Sequence, residues 1–284
     1  MHVIVTGGSS GIGLAIAKLY AIRGDRVSLL ARHSGRLEQA HVEIAAISGA
    51  DPSRIQVASV DVASANQVLE VVENCERSFG PCDVLIASAG IVEPSAFDRM
   101  PAAVFDEQIT TNLIGTANVV RAVYKGMKTR RSGKIMMISS GAALIGIYGY
   151  TAYCASKSAL VGFAEALGAE AGISEVRVSI CFPPDTLTPQ YRREMSIRPA
   201  EAELLMGTVK PWSAEAVAAK IVRGLDRGRT QIHFGLSLAA LSYFGPLIKP
   251  LLMWWFSRRL RKISGQARDG SLADAMDRGF DHRS

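Results

Sequence analysis

The chain has 284 residues, 48% of them hydrophobic, and a formal net charge of +6. That content buries a sizeable core and excludes a disordered chain, and the length admits one large α/β domain or two small ones. Cys75, Cys82, Cys154 and Cys181 form no C-x-x-C pair, which argues against a structural metal and, with no signal peptide ahead of the first apolar run, for a reducing compartment. The positive excess gathers at Arg258, Arg259, Arg261 and Lys262 beside an apolar stretch, which suits anionic lipid better than nucleic acid.

His2 to Thr6 reads as a short strand. A glycine-rich turn follows, Thr6-Gly7-Gly8-Ser9-Ser10-Gly11-Ile12-Gly13, and then Leu14, Ile16, Ala17 and Tyr20 at helical spacing. Further strands are predicted at 26–31, 55–60, 83–88, 133–139 and 176–182, and helices at 35–48, 64–79, 101–128 and 150–172. Apolar strands that do not alternate, each followed by a helix, define an α/β fold with a doubly wound parallel sheet and a ligand crevice at the carboxyl ends of its strands. The expected organisation is a dinucleotide-binding catalytic domain over 1–230, an apolar segment with a basic end over 231–263, and a polar mobile tail over 264–284.

Gly7, Gly11 and Gly13 follow a strand and open a helix, where missing side chains let the backbone approach a pyrophosphate, with Ser9, Ser10 and the Ile12 amide beside it. Gly7 to Gly11 also fits the G-x-S-x-G elbow of a hydrolase, but His2, His33, His41, His233 and His282 offer that reading no convincing base. The second strand ends in Arg32 where an NAD-selective site usually carries an acid. Arg32, with Arg36, either pairs with a 2′-phosphate, making NADPH the expected cofactor, or is a solvated arginine. Asp61 and Val62 are candidates to hold the adenine, and Ala89 and Gly90 either leave room for the cofactor or form a structural turn.

Tyr153 and Lys157 lie four apart on one face of a predicted helix, with Ser140 thirteen residues before the tyrosine. A nearby ammonium favours the phenolate and makes tyrosine a usable proton donor. Singly, each of Asn112, Ser140, Tyr153 and Lys157 has an ordinary structural role open to it, and Cys154 reads as a packing residue. Together with the glycine turn and Asp61, they resemble the short-chain dehydrogenase/reductase family over roughly residues 1–235, which is a single-domain Rossmann-type fold. The resemblance implies that Tyr153 protonates a substrate carbonyl oxygen held by Ser140. It also implies that Lys157 lowers the tyrosine pKa and holds the nicotinamide ribose, that Asn112 anchors a water, and that chains pair into a homodimer or homotetramer through 101–128 and 150–172. Ser88 departs from the asparagine usual in that turn.

The loop Phe182-Pro183-Pro184-Asp185-Thr186-Leu187-Thr188-Pro189 departs from the usual Pro-Gly and resembles the 3-ketodihydrosphingosine reductase branch of the family. This implies an NADPH-dependent reductase of the long-chain ketone 3-ketosphinganine, with Pro183 against the nicotinamide and Thr188 on its carboxamide. Reductases of other lipid, steroid or acyl ketones share the tetrad, and a non-catalytic NADP(H) redox sensor would share the fold. Asp185 is either the partner of the substrate's ammonium or a turn acid. The stretch from Phe234 to Phe256 is broken by Pro246, Lys249 and Pro250; its uninterrupted part is too short for a span of about 20 residues. The expectation is interfacial attachment at the cytoplasmic face of a membrane, with a pocket flap or a dimer contact as the alternatives.

Overall fold

The computed structural model describes residues 1–206 and 210–277, with side chains up to Arg261. Seven parallel strands lie in the order β3-β2-β1-β4-β5-β6-β9. They are β1 (His2–Thr6), β2 (Arg26–Ala31), β3 (Ile55–Ser59), β4 (Val84–Ala87), β5 (Gly133–Ile138), β6 (Val176–Phe182) and β9 (Gln231–His233), while β7 (Thr186–Leu187) and β8 (Trp212–Ser213) form a separate two-residue pair. Every residue of β1 and β4 is buried, which is why these strands read as unbroken apolar runs. The order reverses between β1 and β4, so the carboxyl ends of these two strands frame the crevice.

Helices α1 (Gly11–Ile22), α2 (Ser34–Ala45) and α9 (Ala214–Asp226) cover one face of the sheet through Ile16, Leu37, Val217 and Ile221. The other face carries α3 (Ala65–Phe79), α5 (Gly115–Arg130) and α6 (Thr151–Ala171), packed through Val72, Val119, Val123 and Leu160.

The long helix predicted over 101–128 is two helices. Between α4 (Ala102–Ile109) and α5 lies a π-helical turn, Thr110–Ile114. The wider turn carries Asn112 into the interior, and Gly115 lets the chain press on Val62: a Cβ there would meet Val62 Cγ2 at 2.5 Å. The expected domain end at 230 falls short of β9, which pairs with Ile180 to Phe182 and closes the sheet at His233. Three residues are too few to leave a periodic signal.

Beyond β6 the chain forms α7 (Pro189–Met195) and α8 (Ala200–Met206), and after β9 it enters α10 (Leu236–Asp277). The expectation that Lys249 and the prolines leave no span-length segment is corrected here. Leu236–Arg261 is one 26-residue helical stretch, long and apolar enough by length and composition to cross a bilayer. It bends at Phe244, two residues before Pro246, because a proline ring cannot accept the straight helical path of the preceding turn. The tail expected at 264–284 lies outside the described side chains, and its last residues, 278–284, lie outside the described backbone.

Candidate active site

The glycine turn sits at the carboxyl end of β1, against the exits of β4 and β6. Gly7 (φ +64°) and Gly11 (φ +56°) occupy the left-handed region. A Cβ on Gly13 would lie 2.4 Å from Gly7 O, one on Gly7 2.9 Å from Ser88 O, and one on Gly11 2.9 Å from Thr188 Cγ2. Ser10 precedes α1 without capping it, so the first-turn amides of a twelve-residue helix point into this cradle without a side-chain acceptor. Ile12 packs its side chain on the core and leaves its backbone to the turn. Such a backbone cradle fits a pyrophosphate. Thr6 Oγ1 accepts the Ser88 and Ala89 amides at 3.1 and 3.2 Å, fixing the β4 turn with Ser88 where asparagine is usual.

Gly90, Asn112 and Lys157 meet in space. A Cβ on Gly90 would lie 3.1 Å from Asn112 Oδ1 and 3.2 Å from Lys157 Nζ. Asn112 is fully buried and clamps Ile91 from both sides, accepting its N–H at 2.8 Å and donating to its carbonyl at 2.9 Å. Its second amide hydrogen goes to Ser156 Oγ at 3.0 Å, joining the π turn to α6. The side-chain amide is thus spent on structure. Ser139 Oγ donates to Lys157 O at 2.9 Å and ties α6 to β5. Sequence reasoning missed Ser139 and Ser156, each hidden beside a more conspicuous neighbour.

Ser140 Oγ accepts the Ala142 amide at 3.1 Å, and its hydroxyl also interacts with the Tyr153 phenol. Tyr153 is partly buried beside it. Burial pushes its phenol above the usual value and the Glu194 charge adds to that, while the Ser140 hydroxyl pulls the other way. Lys157 Nζ donates to Ile138 O at 3.0 Å and lies 5.7 Å from the centre of the Tyr153 ring. Burial lowers this lysine's pKa to about 8. The expected lowering of the phenol by the lysine is therefore not expressed in this geometry: desolvation outweighs an ammonium turned toward a carbonyl.

A family model described as short chain dehydrogenase matches residues 1–197, which enclose every residue from Gly7 to Thr188. The chain belongs to the short-chain dehydrogenases. It is 37% identical over 235 residues to a 3-ketodihydrosphingosine reductase of Bos taurus, and 38% identical over 235 residues to a 3-dehydrosphinganine reductase of Danio rerio. Each alignment covers 82% of this chain and 71% of the relative. A crystal structure of an actinorhodin polyketide ketoreductase with NADPH superposes with a TM-score of 0.74 at 26% identity, covering 84% of this chain and 96% of that one. A short-chain dehydrogenase is an oxidoreductase that uses a nicotinamide cofactor, and as a reductase it takes a ketone substrate.

The remaining candidate residues of this short-chain dehydrogenase lie around the same crevice. Arg32 is exposed at the end of β2, 3.6 Å from Glu107 Oε1, and Arg36 is exposed on α2. Asp61 Oδ1 accepts the Ala63 amide at 3.0 Å, and Asn118 Nδ2 holds the Val62 carbonyl at 2.9 Å. Pro183 is buried with its carbonyl on Gly141 N at 3.0 Å, while Thr188 caps α7 by accepting the Tyr191 amide at 3.1 Å. Asp185 is not a lone acid. Its Oδ2 pairs with Arg198 Nη1 at 2.9 Å, and Arg198 Nη2 reaches Glu194 Oε1 at 2.6 Å. Arg198 escaped sequence reading because Ile197-Arg198-Pro199 carries no spacing signal.

The lowered pKa of Lys157 has a consequence for stability. Between about 8 and the lysine's ordinary 10.5 the unfolded chain holds a proton that the folded chain has shed, so its contribution to unfolding free energy rises with pH across that window. The buried thiols of Cys82 and Cys181, pushed up by burial, contribute with the opposite sign in the same window, so the lysine is read as a difference: in urea unfolding, the stability of the wild type relative to Lys157→Met should increase as pH rises from about 8 to 10.5.

Proposed function

We propose that this enzyme reduces the 3-keto group of 3-ketosphinganine to sphinganine with NADPH, in sphingolipid synthesis. The observation that carries the reading is the similarity to a 3-ketodihydrosphingosine reductase and a 3-dehydrosphinganine reductase, in a chain that sets Ser140, Tyr153 and Lys157 beside the glycine turn. A reduced nicotinamide supplies hydride when bound. Tyr153 gives its proton to the ketone oxygen, and its raised phenol pKa keeps that proton in place until the oxygen becomes basic. Ser140 donates its hydroxyl to the same oxygen. Lys157 keeps two N–H donors beyond the one spent on Ile138, enough to hold a ribose hydroxyl and to steady the developing phenolate. Asn112 holds the β4 exit loop and α6 in register, with its water-anchoring role left to its backbone.

The glycine turn with Ser9, Ser10 and Ile12, Asp61 and Val62, Ala89 and Gly90, and Pro183 and Thr188 form the cofactor's bed in this reading. Arg32, assisted by Arg36, selects NADPH: its weak, exposed contact with Glu107 gives way to a 2′-phosphate, a better partner for a guanidinium. The catalytic domain runs from residue 1 to the end of β9, and the apolar helix that follows seats the enzyme on the cytoplasmic face of a membrane. Leu236, Tyr243, Leu247, Leu251 and Trp254 are exposed along it, and the guanidinium groups of Arg258 and Arg259 stand 4.3 and 5.4 Å from the rings of Trp254 and Trp255. Apolar side chains, then indoles, then arginines is the order of an interface with anionic headgroups. Subunits pair through α5 and α6 as a homodimer or homotetramer.

Purified enzyme should oxidise NADPH rapidly with 3-ketosphinganine in detergent and do little with NADH or a steroid ketone. Reduction of the steroid ketone alone would retire the substrate. Tyr153→Phe should keep NADPH binding and lose about 10²–10⁴-fold in kcat, whereas a redox sensor would be untouched. Arg32→Ala should cut the NADPH over NADH preference roughly 10–100-fold, read as the ratio of kcat/KM values. Membranes carrying the enzyme should retain it through a high-salt wash and release it to detergent; release by salt alone would contradict apolar seating.

A further inference from the structure

The pocket wall facing Tyr153 carries charges that do not balance. Arg198 is the only cation hydrogen-bonded to Asp185 and Glu194 among the described residues, and its side chain is 3% exposed. Glu194 Oε1 also accepts the Tyr150 hydroxyl at 2.6 Å, and both Glu194 and the Tyr150 ring are buried. One guanidinium between two carboxylates leaves a net negative charge at a largely buried place, an arrangement that favours a second cation. Lys157 does not supply it, since its ammonium is turned to Ile138 O. The cluster therefore carries one more carboxylate than cation.

Its location says what brings the second cation. Asp185 follows the Pro183 carbonyl that holds Gly141, next to Ser140. Tyr150 stands one helical turn before Tyr153, their rings edge to face at 6.3 Å between centres. The two carboxylates thus border the place where Ser140 and Tyr153 hold a ketone oxygen, and both raise the Tyr153 phenol. A ligand that fits carries a cation close to its carbonyl.

We propose that Asp185, the more exposed of the two carboxylates that share Arg198, seats the ammonium of a 2-amino-1-hydroxy-3-ketone, with Glu194 adding its charge behind it. This rests on the reading of the enzyme as a 3-ketosphinganine reductase and names what makes it selective for the amino ketone. Asp185 and Glu194 become specificity-determining residues, and Arg198 holds them in place. An uncharged ketone of equal length leaves the second carboxylate without a cation, and a site built around such a group discriminates against it.

The test compares 3-ketosphinganine with its deamino analogue, 1-hydroxyoctadecan-3-one, using full-length enzyme and NADPH. The wild type should favour the amino ketone by at least about tenfold in kcat/KM, mainly through KM. Glu194→Gln and Asp185→Asn, which keep shape and remove charge, should each bring that ratio toward one. Equal kcat/KM for the two ketones in the wild type overturns the seat while leaving the reductase reading intact, and needs no variant to fold. A preference that survives in both folded variants also overturns it. No turnover of either ketone, with another ketone reduced, overturns the substrate reading and this inference together.

Discussion

The rest of the site hangs on the Asn112 side chain. It is fully buried and makes three hydrogen bonds, two to the backbone of Ile91 and one to Ser156. Its cost if broken is large, because each stranded polar group inside the protein would forfeit its desolvation without return, about 1–3 kcal/mol apiece. That penalty locks three independent pieces of chain to one another: the exit of β4, the π turn between α4 and α5, and the helix that carries Tyr153 and Lys157. Asn112 lies within the π turn on the buried face, four residues after Gln108. Gln108 repeats the device one turn earlier, exchanging hydrogen bonds with both backbone groups of Glu93.

Two buried cations then set the electrostatics in opposite ways. Lys157 has no carboxylate partner, and burial weakens its hold on its proton. Arg198 has two carboxylates, and they hold its proton more firmly still. The Tyr153 phenol lies between these regimes. Burial first, and then the Glu194 and Asp185 carboxylates, push it upward, while the Ser140 hydroxyl pulls the other way.

The sequence made the sheet and the reacting groups readable because both depend on short-range pattern. Unbroken apolar strands and a glycine turn report a parallel sheet, and Tyr153 with Lys157 report a helix face. What it hid depends on contacts between distant segments. The break at 110–114 leaves the apolar rhythm of 101–128 intact, since a π turn adds a residue without adding a glycine or proline. Arg198 meets Asp185 across thirteen residues and Glu194 across four, yet nothing in Arg-Pro announces a buried guanidinium. Asp185 was legible as an unusual acid in its loop, whereas its partner was not. Lys249 and two prolines suggested a broken segment; the backbone does leave helical geometry at Phe244, two residues before Pro246, but the helix resumes and runs on past Lys249 and Pro250.

Leu238, near the start of α10, packs against Gly141, where a Cβ would lie 3.1 Å from Leu238 Cδ2. Gly141 is the residue after Ser140. No flexible linker therefore separates the apolar helix from the reacting centre, and Leu241 continues the same contact into the core beneath it. With α10 seated in a membrane as proposed, a ketone with a long alkyl tail would reach Ser140 along one oily surface without crossing water. Enzyme velocity would then follow the mole fraction of substrate in the lipid sheet.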